Sequence, residues 1–412
     1  MSIYITLSEL DGPSEPTEMS DEVATLLAAS GLLAVAPAGN GHWQITPTGK
    51  VGCIQTGDVQ VEVRPKDKVG LSRLLFLLGY ARDPGFRPGD VDGVEDMELL
   101  PALAESLCRH VRRALGLGPL QGYVTLEDSL YTVRGRIRIS DQLASRPGML
   151  MPLEAAFDEY TVDIAENRIL LAALRRMLGV PRLGDDVRGR LRHLVAKLDG
   201  VSALRPGAAL PVWQSTRLNR RYHPALRFAE IVLRNCSAEA GEGDIRVASF
   251  MVNMATVFED FVATALTEAM AGFPGMSSAQ YETYMDELEP DRPGNRVLMK
   301  VDLVHAVDAV PAMVFDAKYK AATPWGQYPN ADHYQMLAYC TALRVRRAWL
   351  VYAGPGEVET RRVRFTDKEI AIFPLDLSRS PQELLERVGD LAADAWRLFC
   401  ESERIAVKDV AH

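Results

Sequence analysis

No run of about eighteen apolar residues occurs in the chain, so a membrane-spanning helix is not expected. Cysteine is scarce: there are five, Cys53, Cys108, Cys236, Cys340 and Cys400, an odd total with no Cys-x-x-Cys pair. That usage fits a reducing compartment and speaks against a disulfide framework or a zinc site. The opening Met1-Ser2-Ile3-Tyr4-Ile5-Thr6-Leu7 lacks the basic and apolar stretches of a secretion signal, so a cytoplasmic location is expected. No Gly-x-x-x-x-Gly-Lys-Ser/Thr phosphate loop is present, nor any internal repeat or low-complexity tract. Positive charge is in deficit, with a formal net charge of −9. This balance suits a nucleic-acid-binding protein only if a local basic stripe supplies the phosphate contact. One candidate is Arg217, Arg220, Arg221, Arg227 and Arg234, interleaved with Tyr222, His223 and Phe228. Its alternative is an ordinary solvated face.

What is present is ordinary for a soluble globular protein: 412 residues, 47 % apolar and 25 % charged, enough for roughly two or three domains. Residues 1–65 read as short strands broken by Gly and Pro, with period-two alternation at Trp43–Thr46 and Val59–Val63. Compact helices are expected at Leu71–Tyr80 and Met97–Leu115, then strands at Gly122–Leu126 and Val133–Ile139. Helical spacing returns at Asn167–Leu178, Asp186–Leu198 and Pro224–Asn235, and Ser237–Asp244 reads as an exposed linker. A long helix Val247–Met270, two strands around Asp302 and Asp316, a helix Ala331–Leu343 and a strand Ala348–Tyr352 complete an α/β core. The expected layout is a β-rich N-terminal domain (1–153), a helical middle segment (154–245) and a C-terminal α/β domain (246–412).

The chemistry concentrates in that last part. Val301-Asp302-Leu303 ends one strand, and Phe315-Asp316-Ala317-Lys318-Tyr319-Lys320 closes the next. Two carboxylates on adjacent strand ends offer oxygen donors to a hard divalent cation, Mg²⁺ or Mn²⁺ in its place. Lys318, two positions beyond Asp316, shares its face and can orient a water or offset charge. An isolated Asp-x-Lys is more often a surface ion pair, but Val314 and Phe315 place this one at the end of a buried strand, where unpaired charge is costly. Glu259, within an apolar helical stripe, adds a third carboxylate, unless it is simply an exposed helical residue. Gln335 and Tyr339 lie four apart on one helical face, where they can brace the lysine, touch a phosphate or only pack. His223 and His305 lack a second histidine at ligand spacing and read as surface or core residues. Asp158, Asp163 and Glu166 read as residues favouring the N-terminus of the helix at Asn167.

Together Glu259, Asp302, Asp316, Lys318, Gln335 and Tyr339 resemble the PD-(D/E)xK nuclease superfamily, in its RecB-like branch with a Gln-x-x-x-Tyr helix. Val301 stands where that family often has proline. Further segments narrow the resemblance to the McrC family. These are Val61-Glu62-Val63-Arg64-Pro65-Lys66 with Leu74–Tyr80, Phe157–Asp163 leading to Glu166–Leu170, Asn253-Met254 before Phe258-Glu259, and Lys300-Val301-Asp302 with Phe315–Lys320. The likeness spans roughly residues 50–350. It implies a restriction-endonuclease-like C-terminal core that cuts DNA, with Asp302, Asp316 and Glu259 at the metal. It also implies an N-terminal domain that contacts a hexameric McrB-like AAA+ GTPase and stimulates its hydrolysis. The missing phosphate loop agrees with a motor on a separate chain. The Arg217–Arg234 stretch then becomes the expected DNA-backbone contact. Two other readings remain: a stand-alone RecB-like nuclease, and a catalytically silent scaffold of an AAA+ ring.

Overall fold

The computed structural model describes residues 3–65, 69–87, 98–205, 207–240, 246–287, 296–319 and 330–410. It divides into two compact units, Met1–Met97 with Ser249–His412, and Glu98–Ala248. This partition differs from the expected segments 1–153, 154–245 and 246–412, and strand pairing explains why. Strand Val51–Thr56 lies between Val59–Arg64 and Arg246–Val252 in one sheet, so the N-terminal strands are completed by a segment nearly two hundred residues away. Ile3–Ser8 runs parallel to Val59–Arg64 on the other side. Every residue of Val51–Thr56 is buried, as in a central strand covered on both faces.

Close approach in this sheet demands Gly52. Its φ is +152°, and a Cβ there would sit 1.9 Å from the Phe250 carbonyl oxygen. Gly52→Ala is expected to destabilise the chain by about 3 kcal/mol or more, combining backbone strain with overpacking. Denaturant melts of the two proteins measure the difference; an unchanged midpoint would show that the two strands do not meet there.

Helix Leu71–Tyr80, buried from Leu74 through Tyr80, forms over the expected residues. Phe76 and Tyr80 pack edge-on against Phe261, and Thr264 donates to the Ala81 carbonyl at 2.8 Å. The expected helix Val247–Met270 is instead strand Arg246–Val252 followed by helix α1, Met254–Met270. Asn253 makes the break, because its side chain accepts the Ala255 N–H at 3.0 Å as an N-cap.

After α1 come β1 (Met276–Tyr284), β2 (Leu298–Val307), β3 (Val310–Lys318), α2 (Asn330–Ala342), β4 (Arg347–Ala353), β5 (Glu359–Arg362), β6 (Glu369–Leu375) and α3 (Pro381–Val410). The sheet order is β1-β2-β3-β4-β6-β5. β1, β2 and β3 form an antiparallel meander, whereas β3, β4 and β6 are parallel. Met336, Tyr339 and Cys340 of α2 share a core with Val304, Val314, Leu350 and Ile372. Side chains alternate along a strand, so Asp316 and Lys318 lie on the α2 face with Val314. Lys320 and residues 321–329 fall outside the described residues.

The second unit holds helices Leu99–Ala114, Ala165–Leu178, Asp185–Ala196 and His223–Asn235 beside a three-stranded antiparallel sheet. That sheet pairs Leu153–Thr161 with Gly122–Leu130 and with Arg136–Ile137. The expected strand Val133–Ile139 is thus reduced to two residues, and Ile139 already opens a short helix to Ser145. Ser237 to Ala240, expected in a linker, belong to strand Cys236–Ala240, and the rest of that stretch lies outside the described residues. The acidic cluster is spent internally. Asp163 accepts both Arg168 nitrogens (2.6 and 2.7 Å) and the Ser202 N–H, Glu166 accepts from Asn219, and Asp158 accepts from Thr125. No helix among the described residues is long and apolar enough to cross a membrane.

Candidate active site

Adjacent strands bring Asp302 and Asp316 together. The β2–β3 register ends at Leu303↔Phe315. One step further, Asp302 uses its carboxylate to take the Ala317 N–H, with Oδ2 2.8 Å from the amide nitrogen. That bond anchors Asp302 to the strand carrying Asp316 and Lys318. Lys318 Nζ lies 2.5 Å from Asp316 Oδ2, with the lysine side chain 15 % exposed and the aspartate 1 %.

Asp316 is the anomalous group. Both its oxygens are buried; Oδ1 has no hydrogen-bond partner among the described residues, and Oδ2 is met by the Lys318 ammonium. Burial first, then the Asp302 charge, push its carboxyl up to about 7, although Lys318 opposes the rise. Burial and the Asp302 charge likewise raise Glu259 on α1. Lys318 sits above the ordinary lysine value: burial works against its cation, but Asp316, Asp302 and Glu259 outweigh burial. Three carboxylates therefore share one ammonium group, an arrangement short of positive charge.

A divalent cation is the partner this donor set fits. Mg²⁺ binds through one or two carboxylates and keeps several waters. Asp302 and Asp316 meet that requirement, and Asp316 Oδ1 is the atom such an ion would satisfy. Among the described residues, no three His, Cys, Asp or Glu side chains converge into a ready metal cage. Glu259 accordingly stands as a neighbour whose charge acts on Asp316 and Lys318.

Gln335 and Tyr339 meet as their helical spacing predicts, but they do not brace the lysine through a hydrogen bond. Gln335 donates to the Tyr339 hydroxyl (2.6 Å), which donates to the Lys300 carbonyl (2.8 Å). The pair thus clamps β2 two residues before Asp302. Tyr339 is 4 % exposed, and burial followed by the Asp316 charge raises its pKa.

Sequence reasoning missed Glu9. The Tyr319 hydroxyl, next to Lys318, donates to Glu9 Oε1 at 2.8 Å, and the Tyr319 ring lies against Phe258, next to Glu259. No local pattern reports a contact between residues 310 positions apart. Tyr319→Phe is expected to cost about 1–2 kcal/mol in stability and to slow any reaction that needs Lys318 held in place. Thermal melts and single-turnover rates measured together test this; a change in neither would make the bond incidental.

Arg217, Arg220 and Arg234 are exposed and Arg227 is half-buried. Arg221 donates to the Gly118 carbonyl at 2.9 Å with its guanidinium over the Tyr222 ring. That bond uses one donor of Arg221, and its Nη1 has no hydrogen-bond partner among the described residues. His223 bonds Asn219, and His305 is buried between Ser277 and the Pro274 carbonyl, so both are structural.

Comparison with known proteins follows the geometry. No curated protein matches the chain. Among solved structures, a chain in the tetradecameric assembly of Thermococcus gammatolerans McrB AAA+ hexamers with bound McrC aligns with a TM-score of 0.57 at 16 % identity, covering 94 % of this chain and 98 % of that one. A chain in the cryo-EM structure of the T. gammatolerans McrBC complex aligns with a TM-score of 0.40 at 18 % identity, covering 66 % and 89 %. The first is a likeness of fold: a mixed α/β chain with several sheets. The family model described as McrBC 5-methylcytosine restriction system component matches residues 45–353, roughly three quarters of the sequence. The chain belongs to the McrBC restriction system component family.

Proposed function

We propose that this chain is the Mg²⁺-dependent DNA endonuclease subunit of a McrBC-like restriction system. It cuts when assembled with an AAA+ GTPase whose hydrolysis it stimulates. The observation that carries the reading is Asp316: a buried carboxylate beside Asp302 whose Oδ1 has no hydrogen-bond partner among the described residues and whose Oδ2 meets the Lys318 ammonium. Bound Mg²⁺ would lower the pKa of the attacking water and offset oxyanion charge. Asp302 and Asp316 would hold it, and Glu259, whose raised pKa suits proton exchange, would orient the water. Lys318 would neutralise charge on the scissile phosphate. Gln335 and Tyr339 fix the strand that aims Asp302.

The partner is supported by the family and by a surface in the second unit. On and next to the sheet within 122–161, Tyr123, Tyr131, Val133, Ile139, Leu150 and Tyr160 are exposed. So much exposed apolar surface on one small element is characteristic of a protein interface. In the T. gammatolerans assembly McrC is bound to AAA+ hexamers, and we assign the same class of partner here. Arg217, Arg220, Arg221, Arg227 and Arg234 are the proposed phosphate contacts.

The test is cleavage of a 5-methylcytosine-bearing duplex, with and without the AAA+ partner and GTP, in Mg²⁺ or in EDTA. Cleavage is expected only when partner, GTP and metal are all present. Full-rate cutting by the isolated chain would instead make it a stand-alone nuclease. Unchanged cutting by an Asp302→Ala complex would make it a scaffold.

A further inference from the structure

Within the second unit, helices Leu99–Ala114 and Asp185–Ala196 border an open cavity of about 420 Å³ at the surface. Its charges are unequal. Arg190 is neutralised on the wall, paired with Glu105 on one side and with Asp186 (2.8 Å) on the other. Those two are the only acids that line the cavity. Arg109 and Arg112 from one helix, and His193 and Lys197 from or just beyond the other, line it as well. Both carboxylates are thus committed to Arg190, and Arg112 and Lys197 add positive charge that neither of these acids pairs. The floor is neutral, formed by Leu194 and by Cys108, whose thiol burial pushes up to about 11.

Gly189 gives an independent sign that the space is kept open. It stands inside the helix Asp185–Ala196, where glycine weakens a helix relative to alanine. A Cβ at Gly189 would meet nothing within 4 Å, so no packing contact calls for glycine there. The residue is exposed at the cavity, where a larger side chain has room to occupy it.

We propose that this cavity is a phosphate-ester binding site, with Arg112 and Lys197 as its principal cationic contacts and Gly189 as the opening that admits the ligand. Guanidinium and ammonium groups lining one cavity with an apolar floor suit a phosphate carried on a nucleoside. A free nucleotide and a nucleic-acid backbone share that chemistry. The site is independent of the catalytic reading and is tested by binding alone.

The experiment uses the full chain without divalent metal. Anisotropy measures the affinity of a fluorescent GMP analogue and of a labelled DNA duplex. Variants are Gly189→Leu, which fills the cavity without changing charge, Arg112→Gln/Lys197→Gln, and Arg192→Gln, an exposed control on the same helix. The filling and charge variants are each expected to weaken binding about tenfold or more, with the control near wild type. Loss for GMP alone assigns a free nucleotide, loss for duplex alone assigns the backbone, and loss for both assigns the phosphate ester as such. Wild-type affinity for both probes in Gly189→Leu would overturn the site. An Arg192→Gln loss equal to that of the double variant would also overturn it, because the effect would then be the diffuse field of a basic surface. Should Gly189→Leu fail to fold, Gly189→Gln serves as the filling variant and is judged by the same outcomes.

Discussion

Asp316→Asn is expected to abolish cleavage by the assembled complex and, without divalent metal, to raise the melting temperature of the chain at pH 8. Both effects come from one cause. The Asp316 carboxylate is buried, its Oδ1 lacks a hydrogen-bond partner among the described residues, and its pKa is pushed up to about 7. An unfolded aspartate titrates near about 3.9. Between those values the folded chain holds a proton that the unfolded chain has released, so rising pH lowers stability. Above pH 7 the whole cost of the buried charge is present. Asparagine carries no such charge, and Lys318 keeps Asp302 and Glu259 as compensating neighbours. The difference between the proteins should open from about pH 4 to 7 and then level off, on the order of 1–3 kcal/mol, or roughly 3–6 °C. Cleavage should fall about a thousandfold, the consequence of losing several kcal/mol of charge stabilisation at the metal. Adding Mg²⁺ should raise the wild-type melting temperature and leave that of the variant nearly unchanged. A variant that melts lower than wild type at pH 8 would make Asp316 a structural partner of Lys318 and not a metal ligand.

The same residue shows how far sequence reasoning reaches. Period-two alternation placed Asp316 and Lys318 on one face, and helical spacing paired Gln335 with Tyr339; the structure places both pairs together. These features are local, since a few consecutive residues determine them. Helix Leu71–Tyr80 was legible for the same reason. Strand Arg246–Val252 was not, because a short apolar run without alternation suits a buried strand as well as a helix, and only Asn253 marks the break. Longer-range facts left no local trace. The bond from Tyr319 to Glu9 and the sheet joining Val51–Thr56 to Arg246–Val252 depend on distant pairing. The bond from Arg221 to the Gly118 carbonyl, about a hundred residues away, is likewise a matter of distant pairing. What identifies Asp316 as unusual is a buried Oδ1 without a hydrogen-bond partner among the described residues, which no residue pattern encodes.

Lys318→Met should also lose cleavage, by about a hundredfold to a thousandfold, but with the opposite effect on stability. Lysine can serve such a site as a base or as a fixed cation. Here Asp316, Asp302 and Glu259 outweigh burial and hold its pKa above the ordinary value. On the proposed reading this shift favours its charged form, so Lys318 is expected to serve as a cation and not as a base. The pH–rate profile should therefore show no limb from lysine ionisation below about pH 10. Removing the ammonium leaves three carboxylates facing one another without compensation. The metal-free variant should accordingly be less stable than wild type, increasingly so as pH rises and the carboxylates ionise. A cation 2.5 Å from an Asp316 oxygen also competes with any metal for that oxygen. Its loss should shift the Mg²⁺ midpoint for stabilisation to lower concentration even as turnover falls. Stability and metal affinity should thus move in opposite directions on removing Lys318, whereas both catalysis and metal response disappear on neutralising Asp316. A Mg²⁺ midpoint that moves upward in Lys318→Met would mean the lysine helps to assemble the metal site, and its role at the phosphate would have to be abandoned.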